Sequence, residues 1–356
     1  MTSSKPAPSP GASAATRPYW AARWEDAFNQ KVGGFLRRNG YEVRIEPYTS
    51  YGTESKVRIL ARTLLSREAT QPAAPHEYMR AVRGWRNFTT AVAPHTAVTV
   101  EVGGHTHELV SDRAGLIDQI VDADLTPGWR TATLTPVDNP SARVDVRVNC
   151  IGNETRFGIV SDIDDTVMVT ALPRPLLAAW NAFVLAEEAR RVVPGMPVLY
   201  NELTRQHPDA PVFYLSTGAW NVAPALRRFL AAHGFPSGPL LLTDWGPTNT
   251  GIFRSGQDHK NANLRDLIDA FPNIKWLLIG DDGQHDPAIY GNLAREYPDH
   301  VEVIALRELS PSEHVLSHGA LMAESISSGG EQVEVIRAHD GSGLALRLRR
   351  LGLLRR

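Results

Sequence analysis

The stretch FGIVSDIDDTVMVT, residues 157–170, opens as an apolar run and drives straight into three carboxylates, Asp162, Asp164 and Asp165. A short continuous apolar run of this kind fits a strand buried on both faces. Ionised carboxylates this close repel one another and are rarely buried without a partner. A core strand that ends in such a cluster needs a reason.

The sequence downstream supplies one. VFYL (212–215), PLLL (239–242), WLLI (276–279) and VEVIAL (301–306) are further short apolar runs. Between them lie APALRRFLAAHG (223–234) and NANLRDLIDAF (261–271), both helical in period. Buried strands alternating with helices predict a parallel sheet with helices on both faces, an α/β domain over residues 151–310. Ligands of such sheets bind beyond the carboxyl ends of the strands. The polar signals collect at those ends: SDIDDT after the first strand, Ser216-Thr217-Gly218 after the second and GDDGQHD (280–286) after the fourth. Lys260 is expected to begin the helix that leads into the fourth strand.

These residue types suit phosphoryl transfer. Carboxylates from two strand ends can hold magnesium, a hard cation that prefers oxygen ligands. One aspartate can attack phosphorus, and another, two residues on, can move the proton of the leaving group and then of water. The Ser216 hydroxyl and the Lys260 ammonium can hold the oxygens whose charge grows during transfer. DIDDT alone would usually be a solvated acidic turn. An EF-hand is excluded, since its sixth and twelfth positions would be Val167 and Pro173 in place of Gly and Glu. STG alone is an ordinary turn triplet, and a lone lysine is a surface charge. Their order within one α/β unit is what points to a site.

The arrangement resembles the haloacid dehalogenase superfamily of phosphohydrolases, whose first motif, D-x-D-x-T, is matched by Asp162, Asp164 and Thr166. The resemblance implies a Rossmann-like domain with Asp162 as nucleophile and Asp164 as acid/base. It implies Ser216 and Lys260 as phosphate-holding residues, with Thr166, Thr217 and Gly218 on the substrate side. Magnesium would then be held by Asp162, the backbone carbonyl of Asp164, and Asp281, with Asp286 in support; Asp165 and Asp282 receive no role. More narrowly, SDIDDT, VPGMPVLY (193–200), FYLSTGAWN (213–221), HK (259–260) and LIGDDGQHDPAIY (278–290) resemble the actin patch protein family of phosphatidate phosphatases. STG stands where SNS is more usual, and no actin-binding tail is visible, so actin contact does not carry over. The implied substrate is phosphatidate or a related lipid phosphate. A soluble phosphomonoester, or an idle scaffold that binds a membrane or partner, are the alternatives.

Upstream of residue 151 the texture differs. Tyr19–Arg38 has apolar groups at helical spacing (Trp20, Trp24, Phe28, Val32, Phe35), with Arg37–Gly40 as its end. The period then becomes two: Tyr41, Val43 and Ile45; Val98, Val100 and Val102; Val144, Val146 and Val148. A small antiparallel sandwich is expected within residues 19–150, with His105 and His107 facing solvent on a strand or hairpin. Residues 1–18 read as a disordered leader without the apolar core of a secretory signal.

Only 45 residues, Val167 to Pro211, separate the first two motifs, and they include the helix-like stretch LLAAWNAFVLAEEARR (176–191). That is short for a folded lid, so the site is expected to stay open, with Trp180 and Phe183 either touching lipid or packing on the domain. Residues 311–356 form an extension ending in GLALRLRRLGLLRR, which reads equally as a basic segment for anionic lipid or as a helix capping the domain. Formal net charge is -2, so no global field attracts nucleic acid. The single cysteine, Cys150, excludes an internal disulfide and a cysteine-built zinc site. No apolar run is long enough to span a bilayer, and the default compartment is the cytoplasm, peripheral to a membrane where lipid is met.

Overall fold

A computed structural model of the chain describes residues 36, 38–66, 91–169, 191–243, 256–283, 285–310 and 333–355. Most of the helix expected over Tyr19–Arg38, the leader, and the stretch with Trp180 and Phe183 lie outside these residues.

The first part is a sheet of β1 (Glu42–Pro47), β2 (Ser50–Gly52), β3 (Lys56–Ser66), β4 (Ala91–Val92), β5 (Ala97–Val102), β6 (His105–Val110), β7 (Leu116–Asp122), β8 (Gly128–Pro136) and β9 (Val144–Cys150). Alternating burial along β5 and β9 follows the period-two reading, with Val98, Val100, Val102, Val146 and Val148 turned into the core. Among the described residues the strands do not divide into the two separate sheets expected of a sandwich. All nine strands share one hydrogen-bonded sheet, and β2 pairs with β9 in parallel. The cause is β3, eleven residues long, which pairs with β1 and β2 on one side and with β4 and β7 on the other. The sheet ends meet through side chains: Gln119 Nε2 donates to the Val110 carbonyl at 2.9 Å, and His107 Nε2 lies 2.7 Å from the Asp122 carbonyl. His105 and His107 are half-buried on β6, and His105 reaches Asp124 at 3.1 Å.

The second part holds β10 (Phe157–Asp162), a two-stranded ribbon of β11 (Met168–Val169) and β12 (Arg191–Val192), α1 (Met196–Gln206), β13 (Val212–Ala219), α2 (Ala223–Ala232), β14 (Leu240–Thr243) and α3 (Gly256–Ala270). It continues through β15 (Lys275–Asp281), α4 (Asp286–Glu296), β16 (Val301–Arg307), β17 (Glu334–Ala338) and α5 (Gly341–Arg350). Every apolar run read as a strand is one. The sheet order is β14-β13-β10-β15-β16-β17, all pairs parallel. Counted along the chain this is 3-2-1-4-5-6, a doubly wound order whose direction reverses between β10 and β15. Right-handed crossovers put α1 and α2 on one face, α3 and α4 on the other.

The C-terminal extension completes this domain. β17 adds a sixth strand, and Asp340 caps α5 by accepting from the Gly343 amide at 2.8 Å. Leu344 and Leu348 are fully buried, each worth about 1.5–3 kcal/mol, and Arg349 pairs with Glu202 of α1 at 2.5 Å. Of the two readings of the basic end, domain capping is the one this packing supports. α5 returns toward the amino edge of the sheet. There the Leu353 carbonyl meets His207 at 3.3 Å, and the His207 ring lies 4.3 Å from Phe157, the first residue of β10.

The two sheets share a core. Tyr48, Tyr51, Leu60 and Leu116 of the first belong to the same buried cluster as Ile159, Phe213 and Trp276 of the second. Among the described residues no helix is long and apolar enough to cross a membrane.

Candidate active site

Asp162 ends β10, and its register partner on β13 is Leu215, so Ser216 stands one step beyond it on the neighbouring strand. On the other side Ser161 pairs with Ile279 of β15, which places Asp281 at the same carboxyl edge. Sequence separations above a hundred residues are thus closed by strand pairing alone.

The segment after Asp162 turns tightly. Val167 and Met168 both donate to the Ile163 carbonyl, and Asp165 adopts a left-handed backbone with φ 55. Aspartate tolerates that conformation better than most residues. The turn is held from outside by Arg307, whose Nη1 donates to the Asp165 carbonyl at 2.7 Å and whose Nε donates to that of His339 at 3.2 Å. Sequence reasoning missed Arg307. The available signal was a charged residue closing an apolar strand at its carboxyl end, the pattern that singled out the aspartates.

Lys260 brings the site together. It lies about one turn inside α3, which already covers Gly256, rather than at the helix start as expected. Its Nζ donates to Asp162 Oδ1 at 2.5 Å and to Asp286 Oδ1 at 2.6 Å. Burial works against the ammonium, but Asp162 and Asp286 outweigh it and hold Lys260 well above the usual lysine range. Burial chiefly, opposed by Lys260 and reinforced by Asp286, Asp164 and Asp281, pushes the Asp162 carboxyl well above the usual carboxylate range.

Asp286 stands with Asp162 and Asp281. Ligand oxygens of Asp162, Asp281 and Asp286 all lie within 4.8 Å of one another, and all three residues are buried. The second oxygen of Asp286 is buried and finds no hydrogen-bond partner among the described residues. Asp164 turns its carboxylate to Ser216, whose Oγ donates to Asp164 Oδ2 at 3.0 Å and accepts from the Gly218 amide at 3.0 Å. Its side chain therefore stands outside the three-aspartate group. Thr217 is half-buried beside Gly256 at the start of α3, whereas Thr166 is fully buried and its Oγ1 finds no partner among the described residues. Asp282 accepts from the Leu309 amide at 2.9 Å. Asp162, Asp164, Asp165, Asp281 and Asp286 are buried here against two buried cations, Lys260 and Arg307. That imbalance, with an unsatisfied carboxylate oxygen among clustered oxygen donors, fits a small divalent cation.

Gly280 makes room for the cluster. A β-carbon there would stand 2.6 Å from Asp286 Oδ2 and 2.7 Å from Tyr290 Cε2. Gly280→Ala is expected to push Asp286 out of place and lower kcat/KM about 100-fold, the cost of roughly 1 Å of misplacement. Steady-state kinetics beside a thermal melt check this, and unchanged kinetics in a folded variant would sink it.

Residues 157–308 match the family described as "Phosphatidate phosphatase APP1, catalytic domain". Phosphatidate phosphatase APP1 of Saccharomyces cerevisiae is 28% identical over 157 residues, 44% of this chain and 26% of that protein. An uncharacterized protein of Schizosaccharomyces pombe is 26% identical over 154 residues, 43% of this chain and 25% of that one. The match thus spans about a quarter of the length of these curated relatives. A crystal structure of an uncharacterized protein from Listeria monocytogenes serotype 4b covers 55% of this chain and 98% of its own, at 10% identity and a TM-score of 0.36.

Proposed function

We propose that this chain, whose residues 157–308 match the family described as "Phosphatidate phosphatase APP1, catalytic domain", is a magnesium-dependent phosphatase acting through an aspartyl-phosphate, with phosphatidate or a related lipid phosphate as substrate. The observation that carries the reading is the meeting of Asp162, Asp281 and Asp286 around Lys260 at the reversal point of a 3-2-1-4-5-6 parallel sheet. That strand order, with D-x-D-x-T closing the first strand, supports assignment to the haloacid dehalogenase superfamily and its Rossmann-like domain.

Magnesium, held by Asp162, Asp281 and Asp286 with the backbone carbonyl of Asp164, would offset the repulsion between an attacking carboxylate and a phosphate dianion. Asp162 attacks phosphorus. Asp164 gives a proton to the departing oxygen and later takes one from the water that cleaves the acyl-phosphate. Until then, its bond to Ser216 keeps that carboxyl at the mouth of β13. Lys260, Ser216 and the backbone around Thr217 and Gly218 hold the phosphoryl oxygens as their charge grows.

Phosphate release from a panel of lipid and soluble phosphomonoesters, with and without magnesium, tests the reading. Phosphatidate in anionic vesicles is expected to be hydrolysed faster than a short-chain soluble analogue at equal bulk concentration. Added salt should weaken vesicle binding more than hydrolysis of the analogue. Preference for a small sugar or nucleotide phosphate, with no vesicle binding at low salt, would reject the lipid substrate and leave the carboxylate chemistry standing.

A further inference from the structure

One of the places where the β-rich sheet is built into the phosphatase unit is the chain just beyond Ser216. Tyr48, in the turn between β1 and β2, stacks on Trp220 with ring centroids 4.7 Å apart and planes at 22°. Its hydroxyl donates to the Trp220 carbonyl at 3.2 Å, and both residues are buried, each 4% exposed. Trp220 opens the 3-10 turn Trp220–Val222 that leads from β13 into α2. Only Thr217, Gly218 and Ala219 separate it from Ser216. The grip is broad. Tyr51 meets Phe213 of β13 edge-on at 4.8 Å, and Arg227 of α2 donates to the Pro47 carbonyl at 2.8 Å.

We infer that Tyr48 is a positioning residue for the phosphate-holding strand end, and that residues 46–51 are a working part of the phosphatase although they lie outside its matched segment. The inference rests on the function proposed above. Ser216 Oγ must face both the Gly218 amide and Asp164, so its backbone has to be fixed on both sides. β13 fixes it on the amino side through its pairing with β10. On the carboxyl side the pairing with β14 is interrupted between Leu215 and Ala219, and where β13 ends, Trp220, clamped by Tyr48, is the first buried aromatic anchor the chain reaches.

Three variants of the full chain, compared at a temperature where all are folded, test this. Tyr48→Ala removes the stack and the hydrogen bond, and kcat/KM should fall about 100-fold, with kcat sharing in the loss. Tyr48→Phe keeps the stack, and it should retain activity to within about fivefold. Leu65→Ala is the control for instability. It empties part of a separate small core with Val43 and Ala93, so its melting temperature should drop while its kinetics hold. Hydrogen exchange is the readout that needs no substrate. Amides of residues 217–222 should exchange faster in Tyr48→Ala than in wild type or Leu65→Ala. Equal exchange there, or kinetics no worse in Tyr48→Ala than in Leu65→Ala, overturns the inference. A wild-type protein with no phosphatase activity overturns the proposed function instead, and the exchange comparison still decides whether Tyr48 holds the loop.

Discussion

Asp162→Asn is expected to lower turnover by about 10⁴-fold or more, because an amide keeps the shape of the side chain but cannot attack phosphorus. The fold should survive the change. The site already disfavours charge on the Asp162 carboxyl, burial being the main cause, so a neutral isostere removes a stress while its amide oxygen can still accept from Lys260. Lys260 keeps Asp286 as a partner. A melting temperature close to wild type beside near-zero turnover would separate lost chemistry from lost structure. Asp164→Asn should behave differently. With a nitrophenyl phosphate the leaving group needs no proton, so the phosphorylated enzyme should form and then persist. Peptide mass spectrometry should then find phosphate on Asp162, and substantial activity in Asp162→Asn would mean that another residue is the nucleophile.

Removing divalent cations with a chelator should abolish activity, and magnesium should restore it. Stability should follow. Asp162, Asp281 and Asp286 bring buried carboxylate oxygens within 4.8 Å of one another, and a cation between them would relieve that crowding. A ligand bound only to the folded state stabilises by about 2.7 kcal/mol at a hundredfold excess over its Kd, enough to raise the melting temperature by several degrees. Asp281→Asn should remove most of that rise, since it takes one charge from the three-carboxylate group while its amide oxygen can still accept from Gly283. Full activity in metal-free buffer, with no shift of the melt, would contradict the metal assignment.

What could be read beforehand divides along physical lines. The five apolar runs of the α/β part were legible because strands buried on both faces need no partner to declare themselves. β17 was not. Its residues Glu334 and Val335 are exposed, and an edge strand of five residues carries too little apolar signal to stand out. Periodicity in the first sheet showed which way Val98, Val100 and Val102 face, but it holds no information on partners. The parallel β2–β9 pair and the two-sided role of β3 therefore stayed hidden. At the site, motif spacing located Asp162, Ser216, Lys260 and Asp281. The standing of Asp286 depended on the clearance over Gly280, and the contact of Tyr48 with Trp220 joins residues 172 apart, beyond any local pattern.

The direction of α5 constrains how the molecule could meet a bilayer. The strands run toward the carboxylates, and α5 runs back, so Arg347, Arg349, Arg350 and Arg355 gather toward the opposite rim from the catalytic mouth. A strand of six or seven residues separates the two rims by on the order of 20 Å. The attraction of one arginine for anionic headgroups fades over a Debye length, about 8 Å at physiological salt. A membrane held by those arginines would therefore lie under the molecule, with the mouth facing water. For a lipid to enter, the bilayer has to be met on the rim where Asp162 and Ser216 open, which makes surfaces around that mouth, and not the basic terminus, the place to introduce charge-reversing substitutions.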